Sequence, residues 1–376
     1  MKVLQVAPRF YPYIGGVENY VYCLSRELIK LGQEVKVICA REPAVGDESV
    51  EGVEVKRLRY TGKIANTALT LGLAKEVFFA DCDIIHAHLP DPWSASLAAF
   101  VAAIRKKPLI LTYHNDIVGK GICGYFAKTY NLIFLPLLLK LTKKILITHK
   151  EYLDYSPYLK GYARKIEVFP PGVDLDAFKL PIKKVNDEKT ILFLGLLDEF
   201  HRYKGLDYLI RAMTLIKKEI ARVKLIVGGE GVLKNYYKEL AYSLGLDREI
   251  EFVGFISQEK LSDFYTQGDI FVLPSLSCTQ EGFGIVLLEA MAAAKPVITT
   301  DIVGTARKIK EAMAGRVVKP ADEKALATAI IEILRDETLA TIMGQNGQGL
   351  VREHYDWRII AKGFLELYKQ CTIEVN

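Results

Sequence analysis

Short apolar runs rich in Val, Ile and Leu recur along this chain and alternate with stretches of helical periodicity, and they do so in two successive series. Val3–Ala7, Val35–Cys39, Val53–Leu58, Ile84–His88, Leu109–Thr112 and Ile145–Ile147 form the first series. Thr190–Leu194, Val223–Val227, Ile250–Val253, Ile270–Leu273 and Val297–Thr300 form the second, with Arg316–Val318 as an extra member. Runs that are apolar on both faces suit strands covered by helices on both sides, which is the situation of a parallel sheet. Helical spacing of Val17, Tyr20, Val21, Leu24, Leu28 and Leu31 follows the first run and ends at Gly32. In the second half, helices are expected at about 204–219, 231–244, 258–267, 284–294 and 322–335, then 338–353 and 357–370. The pattern predicts an α/β chain with two doubly wound sheets, each binding ligands beyond the carboxyl ends of its strands.

A length of 376 residues suits two domains of ordinary size. Their expected extents are 1–175 and 176–356, with 357–376 a terminal helix that packs back on the first domain. The stretch from Pro170 to Glu188 lacks periodicity and reads as a linker. The formal net charge of +5 is too weak to argue for a nucleic-acid partner. The basic excess lies in the first half, where residues 117–150 carry Lys120, Lys128, Lys140, Lys143, Lys144 and Lys150 with no Arg, Asp or Glu. Aromatics and the run Ile133–Leu139 are interleaved, too short and too interrupted for a membrane span, so the segment reads either as a core helix with a basic face or as a surface for anionic lipid. Six scattered Cys without a C-x-x-C pair fit a reducing compartment, and Pro8 and Arg9 break the amino-terminal run as a strand end rather than a signal peptide. The expectation is a cytoplasmic protein, peripheral on the membrane face.

Chemistry concentrates at Glu281-Gly282-Phe283-Gly284-Ile285-Val286-Leu287-Leu288-Glu289. Glycines flank the start of an otherwise apolar helix, whose first free N–H groups make an anion site. Glu289 is the only charge on that helix and needs a hydrogen-bonding partner. It lies five residues past Gly284, about 7–8 Å along a helix axis. Sugar, diphosphate and ribose in a row fit that spacing. Gly15 and Gly16 stand between a strand and a helix, where a phosphate or a plain tight turn are both consistent. The first-half strands ending at His86, His88 and His114 put imidazoles at the ligand end of a sheet; His86 reads as inward and structural. Asp81-Cys82-Asp83 and Asp174-Leu175-Asp176 resemble metal-binding strings, but their positions read as structural, and no metal is expected.

The Glu-seven-residue spacing of E-G-F-G-I-V-L-L-E resembles the signature of glycosyltransferase family 4, whose members are retaining, GT-B-fold enzymes using nucleotide sugars. Gly15-Gly16-Val17-Glu18, Pro170-Pro171-Gly172-Val173-Asp174, Lys204-Gly205, Gly228-Gly229-Glu230-Gly231, Val253-Gly254-Phe255 and Leu273-Pro274-Ser275 extend the resemblance over nearly the whole chain. It implies two Rossmann-like domains facing across a cleft, and transfer of a hexose from a nucleoside-diphosphate sugar to a hydroxyl of a glycan or lipid-linked acceptor. It further implies that Gly15 and Gly16 approach the donor phosphate, that Glu281 binds sugar hydroxyls and that Glu289 binds the ribose. Gly282, Phe283, Gly284 and Ile285 would line the donor with main-chain donors. Gly254 and Phe255 would hold the base. Lys204 would meet the diphosphate, His114 the reacting face of the sugar, and Asp116 the acceptor side. No cofactor is implied beyond the donor substrate, GDP-mannose or a UDP-sugar.

Two departures from the family pattern stand out. Leu196 replaces the Arg that usually accompanies the Lys, which makes Arg202 the candidate substitute. Gly304-Thr305-Ala306-Arg307 replaces a Gly-Gly-acid stretch. A nucleotide-sugar epimerase of the same fold and a non-catalytic nucleotide-sugar-binding partner are the rival readings. Retention of Lys204, His114 and both Glu residues favours transfer.

Overall fold

The computed structural model describes residues 1–13, 15–119, 121–178, 188–278 and 280–373. Lys120 and residues 179–187 of the expected linker lie outside them. The chain divides into two compact units, Met1–Gly172 with Trp357–Asn376, and Val173–Asp356.

In the first unit, strands β1 (Lys2–Val6), β2 (Glu34–Ala40), β3 (Glu48–Val50), β4 (Val53–Leu58), β5 (Lys63–Ile64), β6 (Thr67–Ala68), β7 (Ile84–Leu89), β8 (Leu109–Tyr113), β9 (Lys144–Ile147) and β10 (Ile166–Val168) alternate with helices. The helices are α1 (Gly16–Lys30), α2 (Leu73–Phe79), α3 (Pro92–Arg105), α4 (Gly121–Leu141) and the short α5 (Tyr152–Tyr155). The main sheet runs β10-β9-β8-β7-β1-β2-β4-β3 and is parallel except for β3 against β4. Strand order reverses between β1 and β7, so the loops after those strands diverge and leave a crevice at their carboxyl ends. Gly15, Gly16 and His114 all lie in loops or helix starts at that end. The terminal helix, Trp357–Ile373, belongs to this unit and covers one sheet face with Trp357, Phe364, Leu367 and Tyr368 buried beside Tyr20 and Leu24 of α1. Each such large apolar side chain contributes about 1.5–3 kcal/mol on burial.

Helix α4 differs from its sequence-based reading. Lys128, Asn131 and Pro136 do not interrupt it, and its 21 residues are long and apolar enough to cross a membrane. Ala127, Asn131, Leu135, Leu138 and Leu139, spaced three and four apart, form the buried stripe. Tyr125 (80% exposed), Leu132 (78%), Phe126, Ile133, Phe134 and Leu137 are left on the outside.

The second unit has β11 (Lys189–Leu194), β12 (Val223–Gly228), β13 (Ile250–Gly254), β14 (Ile270–Leu273), β15 (Val297–Thr300) and β16 (Gly315–Val318) in the order β13-β12-β11-β14-β15-β16, all paired parallel. Its helices are α6 (Leu206–Glu219), α7 (Lys234–Ser243), α8 (Gln258–Thr266), α9 (Ile285–Ala292), α10 (Ala306–Glu311), α11 (Glu323–Arg335) and α12 (Glu337–His354). Here the order reverses between β11 and β14. The loop carrying Lys204 follows β11, and the loop carrying Ser275 and Glu281 follows β14. Topology alone therefore brings these residues side by side. The small elements β3, β10 and α10 escaped the periodicity reading because they are too short to repeat a pattern.

Candidate active site

In the second unit the polar centre is built on two glycine-dependent turns. Gly205 has φ +76°, and a Cβ there would lie 2.0 Å from the carbonyl oxygen of Pro274, so only glycine lets this turn close over the β14 loop. That closure seats Lys204, whose Nζ lies 3.0 Å from Oε2 of Glu281. The buried Ser275 donates to the same oxygen at 3.0 Å. The second strand-end loop is braced from behind, because Thr300 Oγ1 donates to the Ser275 carbonyl at 2.7 Å. Oε1 of Glu281 has no protein partner among the described residues and remains a free acceptor. Burial alone would lower the Lys204 pKa; Glu281 outweighs it, helped by Tyr203 and Glu289, and the net shift is upward. Lys204 is thus a fixed, water-poor cation held by Glu281.

Gly284 caps α9 in the left-handed region, φ +76°, with Val303 and Leu287 crowding the space a side chain would need. Among the described residues no side chain caps this terminus, which leaves the first amides of α9 available to an anion. Phe283 is buried with its ring 5.6 Å from Tyr355 and anchors the turn. Farther along α9, Glu289 Oε2 accepts from Tyr265 Oη at 2.8 Å. Burial raises the Glu289 carboxyl to about 7, against the opposing pull of Tyr265 and Lys204. At the end of β13, Gly254 has φ +82° and Phe255 is exposed.

Arg202 stands apart from this cluster. Its guanidinium reaches Asp207 at 3.4 Å, Tyr236 Oη at 3.5 Å and Glu199 at 3.8 Å, and lies over the Tyr236 ring. Nothing links it to Lys204 or Glu281 among the described residues.

In the first unit, Gly15 is extended and caps α1 without a side-chain hydrogen bond. A Cβ on Gly15 would strike Glu18 Oε2, whereas one on Gly16 would meet open space. Glu18 is buried, which raises its carboxyl, and lies 3.8 Å from Arg9. The histidines follow from strand periodicity. His86 and His88 are two apart on β7 and share one buried face, where the pairing of β7 with β8 sets Thr112 and His114 beside them. His114 Nε2 lies 3.3 Å from His88 Nδ1, and the Tyr20 ring meets the His114 ring edge-on at 4.8 Å. His86 is held separately by Tyr368 and Thr112, each at 2.7 Å. Burial pushes His114 and His86 to about 3 and His88 well below its usual value, so the cluster is neutral near pH 7.

Asp116, expected on the acceptor side, is taken up by hydroxyls of β8 and of the α5 segment. Its Oδ1 accepts from Ser156 at 2.7 Å, Tyr113 at 2.8 Å and Tyr152 at 3.2 Å, and its amide donates to Tyr152. Such a knot fixes the segment that follows His114. The two Asp-x-Asp strings are also engaged structurally. Asp81 pairs with Lys2, Asp83 accepts the Lys2 amide, and Asp174 accepts the Asp176 amide. Ser275, Tyr265 and Gln5 were not singled out as site residues from the sequence; a signal existed only for Ser275, in the Leu273-Pro274-Ser275 motif.

Two family models match consecutive parts of the chain: Glycosyltransferase Family 4 over residues 14–177 and Glycosyl transferases group 1 over residues 176–350. An uncharacterized glycosyltransferase of Methanocaldococcus jannaschii is 28% identical, covering 98% of both chains. A phosphatidyl-myo-inositol mannosyltransferase of Mycolicibacterium smegmatis is also 28% identical, over 99% of this chain and 94% of the relative. In fold, a glycosyltransferase from Rickettsia africae superposes with a TM-score of 0.77 at 23% identity, covering 98% of each chain. The two matched models, the paired α/β units and the Lys204–Glu281 cluster at the second switch point place this chain in glycosyltransferase family 4, as an enzyme of GT-B fold.

Proposed function

We propose that this enzyme transfers a hexose, with retention, from a nucleoside-diphosphate sugar to a hydroxyl of a lipid-linked or glycan acceptor, without a metal. The observation that carries the reading is Lys204 held 3.0 Å from Glu281 beside the uncapped start of α9, with Glu289 farther along the same helix. Negative charge grows on the leaving diphosphate during transfer, and a fixed cation with helix amides stabilises it. The free Oε1 of Glu281 accepts from sugar hydroxyls, Glu289 from the ribose, and Phe255 offers a face to the base. His114 meets the reacting face of the sugar, and Asp116 supports its loop. Arg202, tied to Asp207 and Tyr236, has a lesser part than Lys204. The acceptor hydroxyl loses its proton as the donor leaves on the same face. Mannose is the first choice of sugar, carried as GDP-mannose, since the Mycolicibacterium relative is named a mannosyltransferase. Incubation with labelled GDP-mannose and UDP-sugars, with and without lipid extract and with EDTA present, tests this. Transfer to an extractable lipid or glycan is expected; epimerised donor without transfer, or activity only with added divalent metal, overturns it.

Glu289 makes donor binding pH-dependent. Its carboxyl is raised to about 7 by burial, and ribose hydroxyls donate more strongly to the ionised form, in which both oxygens accept with full charge. Binding therefore lowers its pKa and releases a proton at pH 6–7. Affinity for nucleoside diphosphate is expected to rise as pH rises through about 7 and to level off above it. Calorimetry in buffers of different ionisation enthalpy measures the released proton, and Glu289→Gln should abolish both the release and the slope.

The exposed face of α4 meets an anionic bilayer on this reading. Apolar burial outweighs charge on this reading. Lys144 is paired with Glu167, whereas Tyr125, Phe126, Leu132, Ile133, Phe134 and Leu137 are exposed together. A large apolar side chain contributes about 1.5–3 kcal/mol when fully buried, more than the about 1 kcal/mol of one Lys near anionic lipid. Vesicle co-sedimentation is expected to survive high salt in part and to be lost in Leu132→Asp/Phe134→Asp. Equal loss in Lys128→Glu/Lys140→Glu would return the weight to charge.

A further inference from the structure

We propose that His88 is a positioning residue for transfer: it accepts the Nε2–H of His114, so that Nδ1 of His114 is presented as a hydrogen-bond acceptor to a substrate hydroxyl. The inference rests on the reading that His114 faces the transferred sugar, and it assigns the chemical form in which that ring acts.

The derivation starts at Gln5, wholly buried on β1 beside β7. Its amide oxygen, which can only accept, lies 2.9 Å from Nε2 of His88. With the amide in this orientation, which leaves Gln5 Nε2 without a partner among the described residues, Nε2 of His88 carries that ring's proton. A neutral imidazole has one N–H, so Nδ1 of His88 is a lone pair. That lone pair faces Nε2 of His114 at 3.3 Å, and the contact is a hydrogen bond only if His114 donates. The single proton of His114 is then on Nε2, and its Nδ1 has no partner among the described residues. The surroundings enforce neutrality, because burial holds all three histidines far below their ordinary pKa. His86 takes no part in the chain; its two nitrogens are satisfied by Tyr368 and Thr112. The His114 ring is also fixed in plane, with the Tyr20 edge at 4.8 Å and the His88 ring stacked at 5.6 Å and 22°. Gln5 thus sets the tautomer of His88, and His88 sets that of His114. The same logic orients histidines held by a second partner in other enzymes.

The test begins with the unmodified enzyme. Long-range proton–nitrogen NMR of protein labelled in its histidine rings, assigned with His114→Ala, is expected to show His114 with its proton on Nε2. A proton on Nδ1 overturns the proposal without any variant. His88→Phe keeps a ring but removes the acceptor; it should mix the His114 tautomers and lower kcat by roughly tenfold to a hundredfold at nearly constant donor KM. His88→Asn places an oxygen near the former Nδ1 and should restore the tautomer and most of kcat. If His88→Phe keeps both the tautomer and kcat while His114→Ala is inactive, His88 has no such role. If His114→Ala itself transfers at the normal rate, the assignment of His114 to the sugar fails instead.

Discussion

Lys204→Ala is expected to lower turnover by roughly a thousandfold and to reduce thermal stability as well, two effects with separate origins. Lys204 is the cation aimed at the developing charge on the diphosphate, and loss of one such preorganised donor typically costs about 10²–10³ in kcat. Its removal also leaves Glu281, 5% exposed, with Ser275 as its remaining side-chain donor. Breaking a buried pair from one side costs about 3–5 kcal/mol. Lys204→Arg should not restore activity. The Lys204 stem packs against Gly195, where a Cβ would lie 2.8 Å from its Cδ, and a longer planar guanidinium does not reproduce the single ammonium that this stem sets on Glu281. Single-turnover kinetics with a melting curve check both parts. A loss of less than tenfold in a stably folded Lys204→Ala would show that the amides of α9 suffice.

Glu281→Ala is expected to separate transfer from binding. Turnover should fall by at least about a hundredfold, the worth of hydrogen bonds from sugar hydroxyls to a charged acceptor. Nucleoside diphosphate should bind as well as before or several-fold more tightly, because Lys204 is released from its partner 3.0 Å away and a negative charge is removed from the site. A variant that loses nucleoside diphosphate affinity would place Glu281 on the nucleotide rather than on the sugar. Glu281→Gln sharpens the point: it keeps an acceptor for Lys204 and Ser275 but not the charge, so its turnover should lie between those of the alanine variant and the parent.

Much of the architecture is legible in the sequence. Both strand series, the long helices of the second unit and the Gly-flanked start of α9 are properties of local pattern. Apolar alternation, helix-forming runs and glycine turns act over a few residues, and the parallel sheets accept them without revision. The Glu pair was legible for the same reason, since five residues of helix are a ruler in any context. Periodicity failed where it had nothing to repeat, at β3, β10 and α10, and where apolar composition was symmetric. In α4 almost every position is apolar, so the sequence could not say which stripe is buried. Packing selected Ala127, Asn131, Leu135, Leu138 and Leu139 and left Tyr125, Leu132 and Phe134 outside.

The fold class, the two strand series and the candidate residues at strand ends and glycine turns were fixed by local pattern. Which of those residues meet was decided only by tertiary structure. Lys204 and Glu281 are far apart in the chain, and the reversal of strand order between β11 and β14 makes them neighbours. Arg202, two residues from Lys204, is drawn away by Asp207 and Tyr236. Asp116 is taken up by hydroxyls of Tyr113, Tyr152 and Ser156. Gln5, His88 and His114 come within hydrogen-bond reach because they stand on or just after three adjacent parallel strands, each two residues past the register partner of the one before. The physical reason is one of range: propensity and turn chemistry are local, whereas a polar group's partner is set by whichever donor or acceptor the packed backbone brings within about 3 Å of it.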